Sequence, residues 1–339
     1  MKSAGIVILS IALSTLSAVS QPASPLTLKR TIELPGVTGK FDHFAIDLEG
    51  NRLFVAATGN HSVEVVNLKT GTVEQSITGL GKPHGLVWTA ATGSLYVADG
   101  SLKELRMYRG SPLKLAASLK LSDDADDMVF NPSTGLLYVG HGGSDAANPA
   151  QIAVVAGSEL TLKASLPVST HPEALDLDPA TQRVFANIAG AGEIAVIDTA
   201  SSSITAHWKL KSATDNVPIA VDPEHRLVYI ACRKPAVLIV LDTASGAELA
   251  QLPTGAGADD LFYDPDLKRV YVIAGAGEVD AYQVDAQKTV RVIGTLRTEP
   301  GAKTALFVPA QSLLYLGVPA GTGNSAHPAE IRVYAAQAK

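Results

Sequence analysis

The sequence contains a single cysteine, Cys232, and this absence of partners excludes several protein classes. No disulfide can form within the chain, so it is not a small domain held together by disulfides. No Cys-x-x-Cys-His motif occurs, which excludes covalently attached haem. Cys232 ends the apolar run 227–232, so we expect a buried, unreactive thiol rather than a nucleophile.

Charged residues are also scarce, at 18% of the chain, and the basic ones never cluster. The net charge is −6, and it becomes −7 once Lys2 is removed with an N-terminal leader. A surface that binds nucleic acid normally shows as a cationic patch. This composition therefore disfavours nucleic acid as a partner.

Long hydrophobic runs are missing except near the N-terminus. Residues 4–16 are apolar but too few to span a bilayer, and Ala18 and Ser20 fit a signal-peptidase site. The sequence predicts a signal peptide over residues 1–20 and a mature chain that starts at Gln21. No cysteine follows that could carry a lipid anchor. We expect residues 21–339 to form one monomeric domain, periplasmic or extracellular, without membrane insertion.

One pattern recurs seven times along the chain. Each copy has an apolar stretch, a short turn, and a hydrophobic–aromatic pair that opens the next strand. The aromatic residues of successive pairs are separated by 42, 42, 47, 44, 42 and 44 residues. The pairs are Leu53-Phe54, Leu95-Tyr96, Leu137-Tyr138, Val184-Phe185, Val228-Tyr229, Val270-Tyr271 and Leu314-Tyr315. A fixed period of this length is typical of repeat architectures.

Each unit holds four short runs rich in β-branched residues, such as 63–67 and 72–77, which predict a four-stranded antiparallel sheet. One such sheet cannot bury both faces, whereas seven packed radially bury each other's faces. The last unit supplies three strands and stops after residues 331–334, and residues 28–34 offer the fourth. The sequence therefore predicts an all-β, seven-bladed β-propeller whose last blade is closed by the N-terminal strand.

The amino-acid sequence of the repeat resembles that of a known family. Residues 95–98 (Leu-Tyr-Val-Ala), 226–231 (Arg-Leu-Val-Tyr-Ile-Ala) and 237–242 are similar to strands of the YVTN family of β-propellers, in its bacterial YncE-like branch. The resemblance covers nearly all of the mature chain, although most units lack the Thr-Asn of the namesake Tyr-Val-Thr-Asn strand. It implies an exported propeller, and some similar propellers are labelled lactonases. A shared fold does not itself supply a reaction.

Function is expected at the mouth of the central channel, where the loops leading into the innermost strands converge. Two aligned positions in these loops are rich in acids and histidines. The first position holds Asp42, His84, Asp126, Glu173, Val217, Asp259 and Lys303. The next holds His43, Gly85, Asp127, Ala174, Pro218, Asp260 and Thr304, with His171 and Asn216 just upstream.

The loops between second and third strands should open on the same face. They carry His61, Asp99, His141, Asn187, Arg233 and His327. Together with His43, His84 and His171 of the first set of loops, six of the eight histidines fall in loops of one predicted face. The predicted ligand-binding residues are Asp42, His43, His84, Asp126, Asp127, His171, Glu173, Asn216, Arg233, Asp259, Asp260 and Lys303.

Two interpretations of this cluster stay open. Polar residues in such loops often hold turns or accept backbone N–H groups, which explains each residue singly. A functional cluster explains better why imidazoles and carboxylates gather on one face. It would bind a small ligand, a divalent metal or a protein of the cell envelope. The predicted metal ligands are His43, His84, His171 and Glu173, with zinc, copper or calcium as the ion.

A metal-assisted lactonase or esterase at the same mouth is the alternative. One of the three histidines would then act as the base, and Arg233 or Lys303 would stabilise an oxyanion. The chain has no Gly-x-Ser-x-Gly motif, so the sequence leaves open whether the protein is an enzyme.

Overall fold

The chain forms seven four-stranded antiparallel sheets in the computed structural model, which describes residues 24–323 and 326–337. The predicted signal peptide, residues 1–20, lies outside the described residues. In blades 1 to 6, four consecutive strands are paired in chain order, and the first strand of each faces the channel. Strands dominate the described chain, which confirms the predicted all-β, seven-bladed propeller.

The strand bounds follow the repeat closely. Blade 1 has β2 (Phe44–Asp47), β3 (Arg52–Ala57), β4 (Ser62–Asn67) and β5 (Thr72–Ile77). Blade 2 has β6 (Pro83–Thr89), β7 (Ser94–Asp99), β8 (Glu104–Arg109) and β9 (Lys114–Lys120). Blade 3 has β10 (Met128–Asn131), β11 (Leu136–His141), β12 (Gln151–Ala156) and β13 (Thr161–Pro167).

The next three blades repeat this arrangement. Blade 4 has β14 (Pro172–Asp178), β15 (Arg183–Ile188), β16 (Glu193–Asp198) and β17 (Ser203–Lys209). Blade 5 has β18 (Thr214–Asp222), β19 (Leu227–Lys234), β20 (Ala236–Asp242) and β21 (Glu248–Pro253). Blade 6 has β22 (Ala258–Asp264), β23 (Arg269–Ala274), β24 (Glu278–Val284) and β25 (Val290–Arg297). Within residues 24–323 and 326–337, single-turn 3-10 helices lie at Thr58–Asn60, Ala189–Ala191 and Pro309–Gln311.

Blade 7 joins the two ends of the chain. Its strands are β26 (Ala305–Val308), β27 (Leu313–Val318), β28 (Glu330–Ala336) and β1 (Leu26–Glu33). β1 pairs antiparallel with β28, and Ile32 stands opposite Ile331. The predicted closing strand is confirmed, and it begins two residues earlier than the sequence indicated.

The repeated aromatic residue packs between neighbouring blades. Phe54 of β3 lies 5.2 Å, centroid to centroid, from Trp88 on the innermost strand of blade 2. Tyr271 of β23 makes the same contact with Phe307 of blade 7, also at 5.2 Å. Such tilted pairs contribute about 0.5–1.5 kcal/mol beyond the apolar area that they bury. Tyr229 of blade 5 and Tyr263 of blade 6 form a third such pair, whereas Phe185 pairs with Trp208 of its own blade.

Cys232 is fully buried in β19, as predicted, and burial raises the pKa of its thiol to about 12. None of the helices in the described residues has the length and apolar character needed to cross a membrane.

Candidate metal centre at the channel mouth

A cavity of about 210 Å³ opens at one mouth of the channel and is lined mainly by charged side chains. Nine of the twelve predicted ligand-binding residues line it, all except His171, Asn216 and Asp260. His43 and Asp127 also line a second cavity, of about 360 Å³, inside the channel. These two side chains therefore stand at the boundary between the polar mouth and the channel interior.

Asp42 and Asp126 bind the histidines of the mouth. Asp42 Oδ2 lies 2.6 Å from His84 Nδ1, and Asp42 Oδ1 lies 3.5 Å from His43 Nε2. Asp126 Oδ1 is 3.4 Å from His84 Nδ1, and Asp126 Oδ2 is 3.2 Å from His171 Nε2. One ligand atom each from Asp42, His43 and Asp126 lie within 4.8 Å of one another. These three residues come from blades 1 and 3, and they form a compact donor set.

Each member of this set is held by a further polar group. His43 Nδ1 lies 3.1 Å from Asp260 Oδ1, and the other Asp260 oxygen accepts a hydrogen bond from the backbone N–H of Ala305. His171 Nδ1 lies 2.6 Å from the Gly142 carbonyl, so both of its ring nitrogens already have partners. His84 Nε2, in contrast, is buried with no hydrogen-bond partner among the described residues.

Two opposing effects determine the pKa values at the mouth: burial disfavours the charged form of each group, and neighbouring groups of opposite charge favour it. Burial alone would raise the pKa of Asp42, but the His84 hydrogen bond and the two imidazoles lower it to about 2. Burial likewise opposes the charged form of His43, yet Asp127 and Asp260 hold its pKa well above the ordinary value. For His171, the bond to Asp126 outweighs burial and raises the pKa to about 9. The mouth thus favours an ionised Asp42 beside a positively charged His43 ring.

The acids of the channel divide into two groups by what they contact. Asp127, Asp176 and Asp260 each accept a backbone N–H of the next blade, from Leu175, Val221 and Ala305 respectively. Within the described chain, the carboxylates of Asp42 and Asp126 contact histidine rings and accept no backbone N–H. The turn-holding interpretation thus fits the first group and does not account for Asp42 and Asp126.

Basic side chains line the cavity beside these acids. Arg233 and Lys303 both bind the carboxylate of Asp259. Lys82 binds Asp124 at 2.8 Å, and Lys40 is exposed without an ion pair among the described residues. The mouth therefore presents cations as well as the acid–histidine cluster.

The ligand-binding residues predicted from the sequence did not include Lys40, Lys82 and Asp124. They occupy one aligned position, two residues before Asp42, His84 and Asp126. Counting two residues further back in each unit would have found them.

Asn216 does not join the site. Its amide donates hydrogen bonds to Asn187 Oδ1 and to the Glu193 carbonyl, and its side chain is fully buried between blades 4 and 5. Glu173 does line the cavity, and burial, with the charge of Asp126, raises the pKa of its carboxyl. The predicted metal ligands His43, His84, His171 and Glu173 thus lie near one another, but the compact donor set is Asp42, His43 and Asp126.

Contacts also bring loops of the second predicted set to this face. Asp99 accepts hydrogen bonds from the backbone of Gly81 and Lys82, and Asn187 donates to the Val217 carbonyl. His141 Nδ1 lies 2.7 Å from Ser122 Oγ. His61 binds the Gly81 carbonyl through Nδ1. His327 is half-buried, and its ring nitrogen contacts the Pro328 carbonyl. These side chains position or flank the loops and do not line the cavity.

Solved structures of other proteins share the fold of this chain. Hydrazine synthase of Kuenenia stuttgartiensis superposes with a TM-score of 0.73 at 16% identity, over 84% of this chain and 95% of that one. A chain of the mitotic checkpoint complex superposes with a TM-score of 0.75 at 12% identity, over 98% of both chains. The likeness shows the fold alone. No protein-family model and no curated protein matches the chain, so membership of the YVTN family stays a prediction.

Proposed function

We propose that Asp42, His43 and Asp126 hold a divalent metal ion at the channel mouth, and that the protein binds its ligand there. The observation that carries the proposal is the mutual approach of their three ligand atoms to within 4.8 Å. Donors at about 2.0–2.2 Å from a tetrahedral zinc ion stand roughly 3.3 Å apart. The 3.5 Å between His43 Nε2 and Asp42 Oδ1 is close to that spacing.

The polar groups around the three donors support the proposal. A histidine that binds a metal usually gives its second ring N–H to a carboxylate, which fixes the ring and its tautomer. His43 Nδ1 is set against Asp260 in this way, leaving Nε2 for the ion. Asp42 is held by His84 and Asp126 by His171, so every donor has an outer partner.

A closed network of ion pairs is the competing account. In it, protonated His43 supplies the positive charge between Asp42 and Asp260, as the raised pKa of His43 allows. The two accounts differ in one measurable way. A metal ion must displace the proton on Nε2, whereas the ion-pair network binds no metal.

The donor set favours a first-row transition metal over calcium. Imidazole suits zinc and copper, while calcium takes six to eight oxygen ligands. Two carboxylates with one imidazole provide too few oxygens for calcium without several added ligands. Zinc is therefore the ion to test first, with calcium as the comparison.

The lining of the cavity supports a small polar ligand rather than a protein partner. A protein interface normally has an apolar core, and Ala174 and Val217 are the only apolar residues that line the mouth among the described residues. Hydrolysis of a lactone or ester remains the alternative for the same centre, since a metal with an open position activates water. This alternative would be favoured if zinc-loaded protein hydrolysed lactones and the Asp126→Asn variant did not.

Export belongs to the same proposal. The apolar run at residues 4–16 and the small residues Ala18 and Ser20 support cleavage before Gln21. Expressed with its full N-terminus in a bacterial host, the protein is expected in the periplasmic fraction with Gln21 as its first residue. Recovery of the uncut chain from the cytoplasm would contradict export.

Zinc titration of the mature protein tests the metal centre. After removal of bound metal by a chelator, we expect roughly one zinc per chain in competition with a chromophoric chelator. Asp126→Asn should lower the affinity by at least about 100-fold, more than the 10–100-fold typical of an outer partner. His207→Ala is the matched control, because His207 pairs with Glu193 on an outer strand. Equal zinc binding by all three proteins, or none by the wild type, would overturn the proposal.

A further inference from the structure

The mouth holds more hydrogen-bond donors than its own acids use. A lysine ammonium offers three N–H donors and a guanidinium five. Lys303 and Lys82 each have one carboxylate partner, on Asp259 and Asp124. Lys40 has no ion pair among the described residues, and the hydrogen bonds of Arg233 use only Nε and Nη2.

The acids of the mouth are, in contrast, largely paired. Asp42 and Asp126 bind histidines, and Asp259 binds two cations at once. Asp127 accepts the Leu175 backbone N–H through one oxygen, and Glu173 has no hydrogen-bond partner among the described residues. The four cations of the mouth nevertheless keep N–H groups that no acceptor of the described chain uses.

The geometry points to a small oxyanion-bearing ligand, carboxylate or phosphate, held by Arg233 and Lys303, which share Asp259, together with Lys40 and Lys82 of the same cavity. Arg233 is oriented by its bond to the Ala258 carbonyl, so its planar guanidinium is fixed for an oxyanion. This inference rests on the mouth being the binding site, as in the proposed function, but it does not require the metal.

The size and depth of the cavity limit that ligand. A volume of about 210 Å³ is below the roughly 300–1,000 Å³ of pockets that hold drug-sized ligands. The side chains of Arg233, Lys303 and Lys82 are 35%, 32% and 39% exposed, so they are accessible from solvent. His43 and Asp127 separate the mouth from the channel interior. A space of this size suits a compact organic acid.

Calorimetric titration of metal-free protein tests the inference. Citrate and inorganic phosphate are the probes, and the diamine putrescine is the probe of opposite charge. We expect citrate to bind, with an affinity that falls as salt is added because the contacts are ionic. Lys303→Gln and Arg233→Gln should each weaken binding by at least about tenfold, the effect of one charge-assisted hydrogen bond. If phosphate binds as strongly as citrate, the site accepts oxyanions in general. If citrate alone binds, the site is specific for carboxylates.

Two further variants keep the test independent of folding. Lys268→Gln is the matched control, because Lys268 pairs with Glu224 and does not line the cavity. Glu173→Gln removes a carboxyl from the mouth and should strengthen citrate binding about two- to fivefold. Thermal unfolding of each variant confirms that it is folded.

The outcomes separate this inference from the metal proposal. Citrate binding without zinc, weakened in Lys303→Gln but unchanged in Lys268→Gln, supports the inference even if zinc does not bind. Absence of citrate and phosphate binding, preference for putrescine, or equal binding by wild type and Lys303→Gln would overturn it. Zinc titration of Lys303→Gln should give the wild-type affinity, since Lys303 is not among the proposed metal ligands.

Discussion

His43 Nδ1 lies 3.1 Å from Asp260 Oδ1, which joins blade 1 to blade 6 across the channel. The same carboxylate accepts the Ala305 backbone N–H through its other oxygen, so blade 7 is included as well. One side chain thus links the ring closure to the proposed metal centre. In that centre, Asp260 acts on the ion only through His43 and is a positioning residue.

Asp260→Asn should weaken zinc binding by about 10–100-fold, the usual cost of losing an outer partner. An asparagine oxygen can still accept the Ala305 N–H, so the contact between blades is kept. The negative charge that faces His43 is lost. Asp176→Asn is the matched control, because Asp176 makes the same kind of contact with Val221 but forms no ion pair with His43 in the described chain. Zinc titration of the two variants gives the comparison, and equal affinities would contradict the role of Asp260 as a positioning residue.

Asp176→Asn should itself stabilise the protein at neutral pH. Burial, with the charges of Asp127 and Asp178, raises the pKa of Asp176 to about 7, against about 3.9 in an unfolded chain. The folded state then holds a proton that the unfolded state releases, so the free energy of unfolding falls between about pH 4 and pH 7. The variant lacks this loss, and we expect it to gain roughly 1–3 kcal/mol on wild type over that range, since channel water screens the charge.

Urea unfolding at several pH values measures that difference. Asp198→Asn is a control of opposite sign, because hydrogen bonds from Ser201 lower the pKa of Asp198 on the surface. A stability difference between Asp176→Asn and wild type that does not change with pH would contradict the account.

The closure of blade 7 should depend on the buried face of β1. Ile32 is buried against the first and last blades, and Ile32→Ala should lower the free energy of unfolding by about 2–4 kcal/mol. Leu28 lies on the same strand but is 49% exposed, so Leu28→Ala should change stability by about 0.5 kcal/mol or less. Chemical denaturation of both variants tests this, and equal losses would argue against packing of β1 in the closed blade.

Cys232 should resist a thiol reagent in the folded protein. Its thiol is fully buried and burial raises its pKa to about 12, so little thiolate is available for reaction. Ellman's reagent should label roughly one thiol per chain in denaturant and almost none in native buffer. Rapid labelling of the native protein would show that β19 opens or that the thiol is accessible.

The sequence allowed the fold to be predicted almost completely, because each blade repeats the same local chemistry. The pair Val270-Tyr271 marks β23 and supplies the contact with Phe307, so one short motif indicates both a strand and its packing. The closing strand could be predicted because blade 7 visibly lacked one of its four.

The site was predicted less completely, and β-bulges explain much of the difference. The pairing of the innermost strands shifts register between Asn216 and Ile219 in blade 5, and between Pro172 and Leu175 in blade 4. Residues at one aligned position therefore need not face the channel alike. Asn216, one residue before the aligned position, is turned toward Asn187, while Asp42 and Asp126 at that position face the histidines. Sequence spacing carries no information on such side-chain directions.

Anomalous diffraction from zinc-soaked crystals is the most direct test of the metal centre. Data collected on both sides of the zinc absorption edge should give one strong peak, within bonding distance of His43 Nε2 and of a carboxylate oxygen from each of Asp42 and Asp126. The peak should vanish in Asp126→Asn crystals. An empty mouth in zinc-soaked wild-type crystals, with His43 still between Asp42 and Asp260, would show that a proton on His43, and not a metal ion, balances the charge of these carboxylates.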